Sequence, residues 1–243
     1  MSVAQLKPNE RYAFVGKTRS GKTALAMVLA GTFARTLPAP WEVWWFDSKN
    51  DPKDLAALRK WGFRNASSDE DRRPEAGGLT NAKYYIIKET SGGPSTVDQI
   101  QALCAQAYSQ GHVILVIDEY VQAVPSIKNA GKDLLNVFQR GGGKQVGIIG
   151  LTQEPVYVPR QLISQATHVC LLSLTYENDI KYVRNLCPVY EPPIKVGDPY
   201  GFYWSWVDGN GEWDYYQNQS VWFNQLQASK PKVGSLPEGV AKK

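Results

Sequence analysis

The sequence has no hydrophobic run long enough to cross a membrane. Its apolar stretches, such as 113–117 and 147–151, fall far short of the roughly 20 residues that a spanning helix needs. Residues 1–7 also lack the pattern of a secretory signal. We therefore expect a protein of the cytoplasm with no direct insertion into a membrane.

Metal-ligating side chains are scarce as well. The chain has 3 cysteines, Cys104, Cys170 and Cys187, without metal-ligand spacing between them, and its 2 histidines are His112 and His168. Zinc sites are built from clustered cysteine and histidine ligands. The composition therefore argues against a zinc site, and we expect the cysteines to be reduced and structural.

Neither sign of charge dominates the composition. There are 27 lysines and arginines against 23 aspartates and glutamates, which gives a formal net charge of +4. An excess of this size permits a nucleic-acid partner but does not establish one, because net charge reports only non-specific attraction. The 43% hydrophobic content is that of an ordinary soluble globular protein.

What the sequence does contain is an alternation of short apolar runs with longer segments of helical period. This alternation predicts an α/β fold with a mostly parallel central sheet flanked by helices. The predicted strands cover 12–15, 42–47, 83–88, 113–117, 145–151 and 167–173. The predicted helices cover 22–35, 53–61, 96–109, 129–139, 159–164 and 178–186.

The regions outside this alternation differ in composition. The polar, glycine-containing segment 64–82 is predicted to be a long surface loop. The aromatic stretch 201–216, interrupted by turn residues at 208–211, predicts a C-terminal β-hairpin. We therefore divide the chain into a core at 1–198, a hairpin extension at 199–225 and a flexible basic tail at 226–243.

A glycine-rich loop lies between the first predicted strand and the first predicted helix. Segment 16–23 matches the phosphate-binding pattern G-x-x-x-x-G-K-[S/T] in the strand–loop–helix context that the pattern requires. Its backbone N–H groups suit the α and β phosphates of ATP, Lys22 suits the β and γ oxygens, and Thr23 suits Mg²⁺. Lys17 and Arg19 are assigned no role in the chemistry. The residues predicted to line the nucleotide are Gly16, Lys17, Thr18, Arg19, Ser20, Gly21, Lys22, Thr23 and Ala24.

Two carboxylates follow the predicted strand at 113–117. Ligands of open α/β sheets bind at the carboxyl ends of the strands, where Asp118 and Glu119 stand. Asp118 is predicted to hold the Mg²⁺ shell, and Glu119 to orient or deprotonate the attacking water. A simple capping role for Glu119 is the alternative.

These motifs resemble those of the HerA/FtsK-like ATPases, and among them the small genome-packaging ATPases of viruses and phages. Segment 46–51 resembles the Asp-x-Lys element of that superfamily, Asp118 and Glu119 its Asp-Glu pair, and segment 151–155 its strand-terminal Thr-Gln motif. The resemblance spans about residues 10 to 190. The family loop usually carries glycine where this chain has Arg19, so loop conformation or phosphate contacts are expected to differ.

The resemblance implies further roles in catalysis. Gln153 would sense the γ-phosphate from the end of its strand, unless it is only a polar strand end. Arg140 would reach the site of a neighbouring subunit as an arginine finger, with Arg160 and Arg184 as alternatives and a helix-terminal charge as the simpler interpretation.

The resemblance also implies partners. It suggests a ring of five or six copies that moves double-stranded DNA into a preformed capsid, with capsid vertex proteins as partners. Such a protein would be found in the host cytoplasm and at the packaging vertex of the virion. Lys128 and Lys132 are candidates for contact with DNA phosphates, although solvated loop lysines are the simpler interpretation.

Other classes remain open. A filamentous-phage-type assembly ATPase, a cellular HerA-like translocase or a conjugation motor would share the motifs. A nucleotide kinase would share the phosphate loop but has no need of a water-activating Glu119. A GTPase is suggested by segment 48–51, which lies too early in the chain for a guanine-specifying motif.

Overall fold

The apolar runs of the sequence form one nine-stranded sheet in this computed structural model, which describes residues 6–67, 78–193, 201–206 and 212–217. The strands are β1 Arg11–Val15, β2 Glu42–Asp47, β3 Arg64–Asn65, β4 Ala82–Ile86, β5 Val113–Ile117, β6 Val146–Thr152, β7 His168–Leu171, β8 Phe202–Trp206 and β9 Trp213–Tyr216. The helices are α1 Lys22–Thr36, α2 Pro52–Lys60, α3 Thr96–Gln110, α4 Tyr120–Ala123, α5 Lys132–Arg140, α6 Arg160–Ser164 and α7 Glu177–Arg184. Short 3-10 turns cover Gly141–Lys144 and Pro155–Tyr157.

The sheet has the order β3-β4-β2-β5-β6-β1-β7-β8-β9. The first seven strands in this order, β3 through β7, pair in parallel. Strand β8 pairs antiparallel with β7, and β9 pairs antiparallel with β8. The prediction of an α/β fold with a mostly parallel sheet is confirmed. The carboxyl ends of β1, β2, β5 and β6 therefore meet along one edge of the sheet.

Two apolar layers enclose the sheet because successive strand side chains point to opposite faces. In β5, Val113, Leu115 and Ile117 pack in the layer that includes α3, α5 and α7. Ile114 and Val116 pack in the layer that includes α1 and α2. This burial on both faces explains why β5 reads as a continuous apolar run rather than an alternating one.

The three cysteines are free and buried. Cys104 lies on α3, Cys170 on β7 and Cys187 after α7. Burial raises the pKa of the Cys187 thiol to about 11 and raises the pKa values of Cys104 and Cys170 as well. All three pack as small apolar side chains. Among the described residues, no helix is both long and apolar enough to span a membrane.

Two predicted segments differ from the observed ones. The helix predicted at 129–139 begins only at Lys132, because Gly131 has φ +78°, which a right-handed helix does not allow. The loop predicted at 64–82 begins with β3, whose Arg64 and Asn65 pair with β4. The short helix α4 was not predicted. The other predicted bounds lie within two residues of the observed ones.

The aromatic C-terminal segment continues the main sheet. β8 pairs with β7 from Leu171 to His168, and β9 covers the outer side of β8. The predicted turn at 208–211, the core–extension boundary and the tail at 226–243 lie outside the described residues, so the division into core, extension and tail stays a prediction.

Candidate nucleotide site

The glycine-rich loop leaves the carboxyl end of β1 and is fixed by the two neighbouring strands. The amide of Gly16 donates to the carbonyl of Thr152 at 3.1 Å, and the amide of Lys17 donates to that of Ser173 at 2.8 Å. A Cβ at Gly16 would lie 2.7 Å from the Cβ of Leu172, so a side chain cannot be accommodated there without movement. The sheet therefore holds the start of the loop in place.

Arg19 adopts the backbone conformation that favours glycine. Its φ is +61°, in the left-handed region, which costs a residue with a side chain about 1 kcal/mol or more. This is the position at which the resembling family usually has glycine. The loop therefore makes a left-handed turn at Arg19, and Gly21 makes a second one at φ +93°.

Lys22 is buried inside the loop at 4% exposure. Its Nζ donates to the carbonyl oxygen of Gly16 at 2.5 Å and to that of Lys17 at 3.0 Å. Burial lowers the pKa of Lys22 to about 8, although the nearby carboxylates of Glu119 and Asp118 oppose this shift. A partly desolvated ammonium group in this position would gain from a phosphate partner.

Asp118 meets the loop from the end of β5. Its Oδ1 accepts from the hydroxyl of Thr23 at 3.4 Å, and its Oδ2 lies 2.9 Å from Nζ of Lys49. The side chain of Asp118 is 1% exposed and that of Lys49 is 27% exposed, so the carboxylate of this ion pair is shielded from water and the ammonium group is partly exposed. The predicted Mg²⁺ ligands Thr23 and Asp118 are therefore brought together by the fold.

Lys49 is a member of the site whose role the sequence did not predict. Burial alone would lower the pKa of Lys49, but the carboxylates of Asp118 and Glu119 raise it above its ordinary value. Asp47, at the end of β2, positions it: its Oδ1 accepts from the amides of Lys49 and Asn50, each at 3.0 Å. The Asp-x-Lys spacing could have indicated the position of Lys49, because a carboxylate two residues before the lysine can accept from its backbone amide and so fix the turn after β2.

Glu119 lies beside Asp118 and is 7% exposed. Its Oε2 accepts from Nε2 of Gln153 at 3.2 Å, and its Oε1 has no hydrogen-bond partner within the described part of the chain. Burial raises the pKa of Glu119, against the opposing influence of Lys49 and Lys22. A buried carboxylate with a raised pKa and an oxygen that lacks a hydrogen-bond partner among the described residues is suited to accept a proton.

Gln153 connects the two halves of the site. It follows Thr152 at the end of β6, the strand that pairs with β5. Its amide nitrogen contacts Glu119, and its Oε1 accepts from the hydroxyl of Thr18 in the phosphate loop. The position predicted for Gln153 is observed, and its role as a sensor of the γ-phosphate stays a prediction.

The donor set suits magnesium and a nucleotide. A hydroxyl and a carboxylate oxygen, from Thr23 and Asp118, are the hard ligands that Mg²⁺ takes together with phosphate oxygens. No group of three or more histidine, cysteine, aspartate or glutamate ligands occurs among the described residues. The buried hydroxyl of Ser20 also lacks a partner in this part of the chain and faces the Cβ position of Gly16.

The arginine candidates lie in different places. Arg140 ends α5 and precedes β6, so it lies near the amino ends of the parallel strands, whereas the phosphate loop lies at their carboxyl ends. The seven residues of β6 separate these two edges of the sheet by about 20 Å. Within one chain it therefore does not reach the phosphate loop. Arg184 is held by Glu191 at 2.9 Å. Arg160 is exposed at the start of α6.

Lys128 lies on the connection between α4 and α5, and Lys132 begins α5. Lys128 stands in the exposed stretch 125–129, and Lys132 is the exposed first residue of α5. Both lysines are open to solvent, and their contact with DNA stays a prediction.

A parallel sheet with a phosphate loop after β1 and two carboxylates after β5 defines a P-loop NTPase fold. No protein-family model and no curated protein matches the sequence. Among solved structures, the fold is similar to that of the genome packaging NTPase B204 from Sulfolobus turreted icosahedral virus 2, in complex with AMPPCP. That match has 15% identity and a TM-score of 0.62, and it covers 88% of this chain and 100% of B204.

Two further solved structures have a similar fold. One is the pCW3 conjugation coupling protein TcpA, with 10% identity, a TM-score of 0.53 and coverage of 86% of this chain and 60% of TcpA. The other is the cytoplasmic domain of the Thermomonospora curvata type VII secretion ATPase EccC, with 13% identity and a TM-score of 0.55. That match covers 89% of this chain and 26% of the EccC chain. These likenesses confirm the predicted fold, a P-loop NTPase with a mostly parallel sheet.

Proposed function

We propose that this protein is an ATP-driven motor subunit that hydrolyses Mg-ATP and moves double-stranded DNA into a preformed viral capsid. The observation that carries the hydrolytic part is Glu119, a buried carboxylate near Lys22, Asp118 and Gln153, with one oxygen that has no hydrogen-bond partner among the described residues. A phosphotransferase has to keep water from attacking, whereas this arrangement supplies a base for water.

The residues of the site divide the work of hydrolysis. Lys22 and the amides of the phosphate loop bind the phosphates. On binding, the ammonium group of Lys22 replaces its hydrogen bonds to the carbonyls of Gly16 and Lys17 with contacts to phosphate oxygens. Thr23 and Asp118 would hold Mg²⁺, which when bound supplies positive charge to the phosphate oxygens. Glu119 accepts a proton from the water that attacks the γ-phosphorus, while the bond from that phosphorus to the ADP oxygen breaks. Gln153 orients Glu119 through their hydrogen bond.

Movement of DNA is supported by likeness rather than by a contact in this chain. The likeness to the viral packaging NTPase extends over that protein's entire length, whereas TcpA and EccC are covered only in part. The position of Arg140, remote from its own phosphate loop, supports a role in the site of a neighbouring copy in a ring of five or six. Capsid vertex proteins and a place in the host cytoplasm or at the virion vertex belong to the same proposal.

A cellular or conjugative DNA translocase is the second candidate. The similarity to a conjugation coupling protein favours it, because that protein shares the fold over 86% of this chain. Docking to an empty capsid separates the two, since only a packaging motor requires a capsid vertex.

The proposal is tested by steady-state ATP hydrolysis, measured at increasing protein concentration with and without double-stranded DNA, with Lys22→Ala as the inactive control. Turnover per subunit that rises with concentration and with DNA supports a ring translocase. Activity independent of both would retain the nucleotide site and refute the motor. A phosphorylated acceptor in place of free phosphate would identify a kinase.

A further inference from the structure

The connection between the catalytic strand and α5 forms a closed loop. After Glu119, α4 leads to Val124, and the chain then exposes 125–129 before Ala130 and Gly131 are buried again. A backbone bridge between Ser126 and Asn129 closes the tip. The tip presents Ile127, which is 48% exposed, next to Lys128. A solvent-exposed tip on a buried base marks this segment, 124–131, as a projecting loop.

One side chain from another helix holds the base of this loop. Gln101, on α3, donates from Nε2 to the carbonyl of Ala123 at 3.2 Å and to that of Ala130 at 3.1 Å. These two carbonyls lie on opposite sides of the exposed tip. The amide group of Gln101 therefore joins the two ends of the loop to each other and to α3.

The other atom of the same amide caps α5. The Oε1 of Gln101 accepts from the backbone amides of Asp133 at 3.0 Å and Leu134 at 3.1 Å. These are unpaired donors of the first turn of a helix, which a side chain at the N-cap position normally satisfies. The N-cap here is Gly131, which has no side chain to offer. With two donors and two acceptor bonds used, the hydrogen-bonding capacity of Gln101 is filled.

Gly131 makes room for this contact. A Cβ at Gly131 would lie 2.3 Å from Nε2 of Gln101, and its φ of +78° favours glycine on its own account. The side chain of Asn129 accepts from the amide of Gly131 at 2.8 Å and fixes the same turn. The loop and Gln101 are thus fitted to each other from both sides.

We propose that Gln101 is a positioning residue of the motor, which holds the loop 124–131 in the shape in which its tip and Lys132 contact the phosphate backbone of double-stranded DNA. This inference rests on the proposed function, because it presumes that DNA is the partner. Lys128 of the loop and Lys132 at the start of α5 suit contacts that are independent of base sequence. Since α4 is all that separates the loop from Glu119, the shape of the loop also affects how strongly DNA stimulates hydrolysis.

The test compares Gln101→Met and Gln101→Glu with the unsubstituted protein. Gln101→Met removes all four hydrogen bonds at similar length, whereas Gln101→Glu keeps the acceptor for Asp133 and Leu134 and loses both donors. Gln106→Met is the matched control, because Gln106 lies on the same helix and is exposed. Gly131→Ala perturbs the same contact from the loop side and serves if Gln101→Met does not fold.

Three quantities are measured: the ATPase rate without DNA, the DNA concentration that gives half-maximal stimulation, and hydrogen exchange at the amides of Asp133 and Leu134. In Gln101→Met the half-maximal DNA concentration is expected to rise about five- to tenfold, as the loss of one or two net hydrogen bonds would give. The rate without DNA is expected to change less than about twofold, because no phosphate or water contact is lost. Exchange at the two amides should accelerate in Gln101→Met and less in Gln101→Glu.

An unchanged half-maximal DNA concentration despite faster exchange would overturn the role of Gln101. The same conclusion follows if the rates with and without DNA fall in parallel with a lower melting temperature, since that pattern indicates general destabilisation. Failure of DNA to stimulate the unsubstituted protein would remove the proposed motor function itself and, with it, this inference. The two failures are separable because the second requires no substitution.

Discussion

Replacing Glu119 by glutamine removes the charge and basicity of the side chain while keeping its shape. The carbonyl oxygen of the new amide can still accept from Nε2 of Gln153, which now lies 3.2 Å from Oε2 of Glu119. Lys22, Thr23 and Asp118 are untouched. We therefore expect Glu119→Gln to bind ATP with an affinity near that of the unsubstituted protein and to lose turnover.

The size of the effect follows from the role of the residue. Proton transfer to a positioned base contributes typically 10² to 10⁴ in rate, which corresponds to about 3 to 5 kcal/mol in the activation barrier. The raised pKa of Glu119 adds a pH signature, because only the ionised carboxylate accepts a proton. The turnover of the unsubstituted protein should therefore fall as pH decreases through a value above 4.5, the ordinary pKa of glutamate.

The assay combines single-turnover phosphate release with equilibrium binding of ATP, both measured from pH 5 to pH 8. The expected result for Glu119→Gln is slow release without the acid limb, at unchanged ATP affinity. Hydrolysis at the unsubstituted rate would show that another group activates the water. Loss of ATP binding in equal measure would show that the substitution acts through the structure of the site, and the assignment of the base would then be wrong.

The remaining predictions concern other residues of the site and the core. Burial lowers the pKa of Lys22 to about 8, and phosphates favour its charged form, so ATP binding above pH 8 should be accompanied by proton uptake. Calorimetry in buffers of different ionisation enthalpy should detect this uptake. Lys22→Arg should abolish the uptake. Gly150→Ala should destabilise the fold by about 1 to 3 kcal/mol, because a Cβ there would lie 1.6 Å from the ring of Tyr120. Denaturant unfolding measures this loss, with Gly143→Ala as the control, because an added Cβ at Gly143 has no neighbour within 4 Å. Equal stability of the two variants would refute the reasoning. Arg140→Ala should lower ATPase activity at least about tenfold and regain part of it when mixed with Lys22→Ala subunits, whose intact arginines face functional sites. Mixed rings without recovery would point to Arg160 or Arg184.

The sequence predicted the central strands and the phosphate loop because their signals are local. β5 is a continuous apolar run followed at once by two acidic residues, and the phosphate loop has a fixed pattern between a strand and a helix. The neighbouring positions of Asp118 and Gln153 followed from parallel strands ending at one edge, which the pairing of β5 with β6 confirms.

Other contacts could not be predicted because they depend on residues distant in sequence. Gln101 looks like an ordinary polar residue of an amphipathic helix, and its partners lie up to 33 residues away. The start of α5 depends on the positive φ of Gly131, which a helical period does not reveal. The pairing of β3, only two residues long, with β4 lies below the length at which strand periodicity can be recognised.

The burial of all three cysteines has a practical consequence for spectroscopy. Thiols react with maleimides as thiolates, and burial both shields these sulfurs and raises their pKa values. At neutral pH the folded protein should therefore leave them unlabelled. A cysteine introduced at the exposed Lys128 position would then be the single reactive thiol, so a fluorophore attached there would follow the loop tip during turnover without prior removal of the native cysteines.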